Sequence, residues 1–372
     1  MARSSSVPDG ASRARRAAPI RRRDGVRVGV IGSGEISEYH LGGLAAVEDV
    51  EVVVIAARTA KRAAVRARRF GIAEVADDWR RVVDRPDLDA VVIATPDETH
   101  PEIVAAAIES RKAILVQKPI ATSLDAARPL VAQARAANVL LSVSFMHRHF
   151  EEVVALRDLL IGGVLGRPLT ARIRNATSGP LWSPWFYHRP ATGTGGVVIQ
   201  LGVHGIDLLA HLLGPIRSVT ARAETLAPER RLADGSHVAV EVVDHALASY
   251  EFASGALASH EMSWAEVAGT DRFRLEVYGT DGTAWVRWPT DGLAVHTEGP
   301  GGMRGWFRPD LAPEPPGARH HRAWIAQIRG DEPPDGTDLD ALAGLDVIEA
   351  VHRAATGRCE VAARSRDELL AP

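Results

Sequence analysis

Val26-Arg27-Val28-Gly29-Val30-Ile31-Gly32-Ser33-Gly34-Glu35-Ile36-Ser37 joins a short β-branched run to a glycine turn and then to residues that open a helix. In that setting Gly32 permits a tight turn, and Gly34 lets backbone approach a pyrophosphate. The first helical N–H groups, at Glu35 and Ile36, then point at its charge. The glycine string alone is a weak signal; after a strand and before a helix it predicts a dinucleotide site rather than a plain strand-to-helix turn. Ser37 stands where a third glycine is usual, and a small residue there still allows close helix-to-strand packing.

Working outward, apolar runs alternate with helix-period segments from Val26 to about Phe145, as a parallel sheet with crossover helices does. Strands are expected at Val26 to Ile31, Glu51 to Ala56, Ala90 to Thr95, Ala113 to Val116 and Leu140 to Ser144, each apolar enough to need cover on both faces. Helices are expected at Ala60 to Phe70, Glu102 to Ser110 and Leu124 to Ala137. This half reads as a doubly wound α/β Rossmann domain. Beyond Phe150 the pattern becomes α+β: a helix near Glu151 to Leu160, a Trp- and Pro-rich stretch, a long helix, then alternating strands around Val238, Val240, Val242 and Phe273, Leu275, Val277. Gly279 to Gly282 reads as a turn between two strands. Gly299 to Gly317 is loop-rich, further helical segments start near Trp324 and Leu339, and no repeat is found. The expected organisation is a basic disordered tail over 1–25, a dinucleotide domain over 26–149, and an α+β substrate-binding and oligomerisation domain over 150–372 with an open, mainly antiparallel sheet.

The 372 residues carry 44 basic and 47 acidic side chains, net charge −3, with 46% hydrophobic and 24% charged residues. That balance gives no field favouring nucleic acid or an anionic membrane. Cys359 is the only cysteine, so an intramolecular disulfide and a cysteine-based zinc cage are excluded. No metal is expected. Arg21-Arg22-Arg23 is followed by charge and a glycine turn rather than an apolar segment, and the expected location is the cytoplasm.

The tip of the second strand bears on cofactor choice, because a carboxylate there would bind a ribose 2′-hydroxyl. Here the residues are Ala57, Arg58 and Thr59, then Lys61 and Arg62, which can hold a 2′-phosphate; NADP is favoured over NAD. The bland alternative is that they begin a solvated basic face continuing through Arg66, Arg68 and Arg69.

Gln117-Lys118-Pro119 follows the fifth strand at its carboxyl end, where open α/β sheets bind ligands. An ammonium directed from there can stabilise the alkoxide that develops as hydride leaves a carbinol. Thr95, Pro96 and His100, in the segment after the neighbouring strand, can line the same crevice, though a turn before a capped helix explains them equally well. Farther on, Gln200, His204, Asp207 and His211 recur at offsets of four, seven and eleven within the apolar run Val197 to Leu213. They form a polar stripe on one helical face. His204 can serve as general base and acid; a core histidine and a metal ligand are the competing readings. His211 reads as structural.

The glycine turn, the ATPDETH segment at 94–100, the QKP tripeptide at 117–119 and the GTGG...QLGVHGID segment at 193–207 together resemble the Gfo/Idh/MocA family of sugar and cyclitol oxidoreductases. The resemblance runs in order from about Val26 to near Val361. It implies NAD(P)-dependent hydride transfer to or from a sugar-like substrate, with Lys118 as the lysine of the family's EKP motif. His204 and Asp207 become the histidine and final aspartate of its D-x-G-x-H-x-x-D helix. It also implies homo-oligomer contacts through the second domain's sheet. Two positions depart from the pattern: Gln117 replaces glutamate and Gln200 replaces aspartate. An amide supplies no negative charge to a neighbouring histidine or lysine. The acid-base pair is therefore expected to be weakened or rebuilt. A dinucleotide-dependent glycosidase and a non-catalytic dinucleotide sensor are the alternatives.

The expected catalytic residues are Lys118 and His204. Gln200, Arg148, Trp185 and Asp207 are expected at the substrate, with Asp207 holding backbone rather than moving a proton. Gly32, Gly34, Glu35, Ile36, Arg58, Thr59, Thr95, Pro96, His100, Gln117 and Lys118 are expected at the cofactor. Trp182, Trp185, Phe186, Tyr187, His188 and Arg189 crowd one loop of a chain only 5% aromatic, and such faces either stack on sugar rings or fill a domain interface.

Overall fold

The computed structural model describes residues 25–188, 195–268, 271–288, 291–297 and 305–370. The expectations for the tail over 1–24, for Arg189, for Gly193 and Thr194, and for part of the loop-rich segment, 299–304, lie outside the described residues.

Six parallel strands form the first sheet: β1 (Val26–Ile31), β2 (Val50–Ala56), β3 (Glu74–Ala76), β4 (Ala90–Ile93), β5 (Ala113–Gln117) and β6 (Leu141–Ser144). Their order is β3-β2-β1-β4-β5-β6. The order reverses between β1 and β4, which opens a crevice outside their carboxyl ends. The connecting helices are α1 (Glu35–Ala45), α2 (Ala60–Phe70), α3 (Arg80–Val83), α4 (His100–Glu109) and α5 (Leu124–Ala136). All four residues of β4 and all five of β5 are buried, as strands covered on both faces must be. The edge strand β3 escaped the periodicity because it has three residues, two of them exposed.

After α6 (Glu151–Ile161) a second sheet of nine strands is laid down, in the order β16-β15-β14-β13-β7-β12-β11-β8-β17. Its members are β7 (Pro168–Ala176), β8 (Ile216–Glu224), β11 (His245–Phe252), β12 (Leu257–Ser263), β13 (Phe273–Gly279), β14 (Gly282–Trp288), β15 (Gly292–Thr297), β16 (Gly305–Phe307) and β17 (Val361–Ala362). Neighbours are antiparallel except β7 and β12, which run parallel. A separate two-stranded ribbon pairs β9 (Glu229–Arg231) with β10 (His237–Ala239). Val238, Val240 and Val242 are all buried, but only Val238 lies in a strand; the expected longer strand is this short ribbon followed by irregular chain.

The expected helix over Val197 to Leu213 has two parts. Val198–Gly202 is wound as a π turn, and α7 (Val203–Leu213) follows as ordinary α-helix. The C-terminal helices α8 (Ala318–Arg329), α9 (Thr337–Gly357) and α10 (Arg366–Leu370) complete the chain. Part of this tail returns to the first domain: Trp324, Ile325 and Ile328 of α8 share a core with Val28 and Val30 of β1 and Leu41 and Leu44 of α1. Residues distant in sequence thus close one side of the Rossmann sheet. Among the described residues no helix is long and apolar enough to cross a membrane.

Candidate active site

Gly32 has φ +115°, and a Cβ there would stand 2.2 Å from the Ala94 carbonyl oxygen, so the turn between β1 and α1 requires glycine. Gly34 differs: a Cβ at that position would meet nothing within 4 Å. The protein does not need the missing side chain, whereas a pyrophosphate approaching the start of α1 would use the space. Ser37 is buried, and its hydroxyl donates to the Gly34 carbonyl at 2.6 Å, bracing the turn where a third glycine was expected. These features fit a dinucleotide.

The turn opens into a cleft of about 1540 Å³ between the sheet ends and the second domain. Gly32, Gly34, Glu35, Ile36, Arg58 and Thr59 line it, and so do Thr95, Pro96, His100, Gln117 and Lys118. Gln200, His204 and Trp185 reach it from the other side. At the tip of β2, Arg58, Lys61 and Arg62 are exposed and make no ion pair among the described residues. Arg66 and Arg69, by contrast, are held by Glu38.

Lys118 follows directly on β5, and its ammonium donates to the Gln200 carbonyl at 2.8 Å. The Gln200 side-chain amide donates to Asp97 at 2.6 Å. The π turn carrying Gln200 is thereby fastened to the ends of both β4 and β5; π turns recur at functional sites. Burial lowers Lys118 to about 8, with Asp97 opposing and Arg272 adding to the fall.

His204 lies one turn beyond Gln200, its ring stacked on that of His147 with centroids 4.2 Å apart. Burial first, then His147, Lys118 and Arg272, hold it well below the ordinary imidazole value, so it is neutral. Burial likewise takes His147 down to about 3, with Arg272 and Lys118 contributing. The Nδ1 of His204 is enclosed without a partner, which leaves Nε2 as the nitrogen that can face a ligand.

Gln117 spends its amide differently, donating to Nε2 of His40 at 2.7 Å and to the Ser144 hydroxyl at 3.1 Å. His40 then carries its proton on Nδ1, which lies 2.9 Å from Nε2 of His321; Nδ1 of His321 donates to the Gly317 carbonyl at 2.7 Å. One chain of neutral imidazoles satisfies each nitrogen and links β5, α1 and α8. Glutamate at 117 would accept where the amide donates, so the departure at this position is built into the surrounding network. His100 spans a second seam, with Nδ1 2.8 Å from the Pro119 carbonyl and Nε2 2.9 Å from that of Thr95.

Arg148 and Asp207, expected at the substrate, face each other instead of the cleft. Arg148 Nε donates to Asp207 at 2.9 Å, a second guanidinium nitrogen also bonds Asp207, and the same group lies 2.9 Å from Asp340. The side chains of Arg148 and Asp207 are 9% and 2% exposed. This clamp ties the 146–149 turn to α7 and α9. The stripe read from helical spacing therefore divides: Gln200 and His204 look into the cleft, and Asp207 looks into the seam. Burial lowers His211 to about 3. Among the described residues no group of His, Cys, Asp and Glu is placed to hold a metal.

Among the cleft residues that were not singled out from sequence, Asp97, His147 and Arg272 bear on the Lys118–His204 pair. Asp97 lay within the ATPDETH segment and His147 next to Arg148, itself expected at the substrate, so a signal existed for both. Arg272 had none. Of the aromatic loop, Trp182, Trp185 and Phe186 line the cleft, joined by Trp264 and Trp288, whereas Tyr187 is buried in the core.

The family model described as an oxidoreductase family with an NAD-binding Rossmann fold matches residues 26–145, and the GFO/IDH/MocA C-terminal domain matches residues 153–285. Among curated proteins, 1,5-anhydro-D-fructose reductase of Ensifer adhaerens is 35% identical over 188 residues, which is 50% of this chain and 56% of that protein. The scyllo-inositol 2-dehydrogenase (NAD(+)) of Bacillus subtilis strain 168 is 29% identical over 203 residues, 54% of this chain and 58% of that protein. The chain thus spans about half the length of the curated relatives it matches. Levoglucosan dehydrogenase, solved in complex with NADH and L-sorbose, superposes with a TM-score of 0.83 at 25% identity, covering 92% of this chain and all of that one.

Proposed function

Because this chain belongs to the Gfo/Idh/MocA family, we propose that it is an NAD(P)-dependent oxidoreductase that interconverts a carbinol and a carbonyl on a sugar or cyclitol. The observation that carries the proposal is the bond from Lys118 to the carbonyl of Gln200, which joins the ammonium to the segment that carries His204 inside the cleft that the glycine turn opens into. The bound nicotinamide supplies or accepts the hydride. The chain's own groups handle the proton. Lys118, lowered to about 8 by burial, exchanges a proton with the substrate oxygen near neutral pH and is a better carrier than an imidazole held neutral. His204 holds that oxygen through Nε2. Asp97 retains positive charge on Lys118 and fixes Gln200. Trp185 and its aromatic neighbours exclude water and stack on the ring.

Arg58 and Arg62 at the tip of β2, which make no ion pair among the described residues, support NADP(H) as the preferred cofactor. Replacing both with alanine is expected to raise the KM for NADP at least about tenfold while leaving that for NAD nearly constant; equal effects on the two would remove the preference. Exposed Leu247, Leu257 and Leu169 on the second sheet support homo-oligomer assembly there, and the chain's composition supports a cytoplasmic location.

The test of the activity is a panel of sugars and cyclitols with NAD and NADP, read as absorbance of the reduced cofactor. Reduction by at least one substrate is expected. Cleavage of a chromogenic glycoside without net reduction would assign the cleft to a glycosidase instead.

A further inference from the structure

The cleft contains a cation that hydride transfer does not use. Arg272, just before β13, lines the same space as Lys118, Gln200 and His204. Its guanidinium lies 5.8 Å from the ring centroid of Trp288, which itself stacks on Phe150 at 6.2 Å. Nearby arginines have carboxylate partners: Arg174 is held by Glu266 and Glu261, and Arg274 lies 2.6 Å from Asp271. Arg272 pairs with no carboxylate among the described residues.

An arginine cannot shed its proton, and Arg272, exposed to the cleft with no carboxylate partner among the described residues, leaves its N–H groups open to charge-assisted bonds from a ligand anion. The local balance points the same way. Asp97 and Arg272 are the charges that bear on Lys118, and Asp97 is already engaged by Gln200. His147 and His204 are neutral, and Gln117 and Gln200 contribute amides. Of the two charges that bear on Lys118, one is thus a carboxylate already engaged and the other is the Arg272 guanidinium. A guanidinium lying over an aromatic ring keeps its N–H edge free for two parallel bonds to an oxyanion.

We propose that the substrate bears an anionic group, a carboxylate or a phosphate ester on the sugar or cyclitol, and that Arg272 binds that group beside Trp288. The ring's identity rests on the oxidoreductase reading; the anion rests on Arg272.

Calorimetric titration of the cofactor-loaded full chain with D-glucose, myo-inositol, D-glucuronate and D-glucose 6-phosphate tests this without requiring turnover. At least one anionic ligand is expected to bind about tenfold to a hundredfold tighter than the neutral ones. The uronate and the phosphate arms identify which anion it is. Arg272→Gln should remove that preference, Arg272→Lys should retain part of it, and added salt should weaken the anionic ligand more than the neutral ones in the unaltered protein. The salt series carries the test if the Gln variant does not fold. Equal binding of neutral and anionic ligands, no binding of any, or a preference surviving in a folded Gln variant would overturn the proposal. So would loss of cofactor affinity in that variant, which would give Arg272 to the dinucleotide. Oxidation of neutral sugars with no anion preference would leave the oxidoreductase reading standing and remove Arg272's role; anion-selective binding with no cofactor reduction would do the reverse.

Discussion

At the residue scale the site is a problem of proton storage. Lys118 is enclosed, so its charged form loses hydration, and Asp97 restores only part of what is lost. Lys118→Ala is expected to lower kcat by roughly a thousandfold, within the range for a general acid-base group. Cofactor affinity should stay within about tenfold; near-normal turnover would remove Lys118 from the mechanism. In the oxidation direction the neutral amine takes up the substrate proton, so kcat/KM should rise with pH through an ionisation near 8. In reduction the ammonium is the active form, and the rate should fall across the same range. Asp97→Asn takes away the charge that opposes deprotonation, so it should move both limbs to lower pH. An unmoved profile would show that another group titrates. Lys118 could be found from sequence because a strand end followed by proline places it locally. Asp97 and Arg272 could not be assigned in this way, since their roles exist only once β4, the π turn and β13 meet.

The elements show where periodicity succeeds and where it stops. Strands such as β4 and β5, buried on both faces, write their boundaries in continuous apolar runs. The π turn at Val198–Gly202 leaves no such mark: its composition suits an α-helix equally, and the wider winding becomes visible only in the backbone. Helical spacing correctly put Gln200 and His204 on one wall, but it did not foresee that Asp207 meets Arg148. That buried pair can be tested by itself. Arg148→Met leaves Asp207 without its partner and should destabilise the fold by about 3–5 kcal/mol, as removal of one member of a buried ion pair does. Denaturant unfolding followed by circular dichroism measures it; a loss below about 1 kcal/mol, the level of an exposed pair, would contradict the clamp.

For the whole molecule, the decisive event is the return of the C-terminal chain to the Rossmann sheet through α8, which creates a seam of neutral histidines. His149 and His321 are taken down to about 4 by burial, and His40 and His320 lie well below the ordinary value for the same leading reason. Unfolded imidazoles take up protons near 6.5, whereas these do so only at lower pH. The unfolded state therefore binds more protons in the interval. The stability these residues allow is complete above pH 6.5 and is lost as pH falls toward about 4, at up to about 1.4 kcal/mol per residue per pH unit. Tm should drop steeply between those limits, and a flat profile would mean that the seam is not dry. The sequence could not announce it, because His40 and His320 are 280 positions apart.

The central claim is convergence: a dinucleotide held on the glycine turn would bring its nicotinamide beside Lys118 and His204, which line the same cleft. A crystal structure with NADP and a bound sugar tests that most directly. The account predicts the pyrophosphate within hydrogen-bond reach of the backbone N–H groups at the start of α1, and the substrate hydroxyl within reach of both the Lys118 ammonium and Nε2 of His204. A nicotinamide ring directed away from Lys118, or a sugar oxygen that neither group can reach, would contradict it.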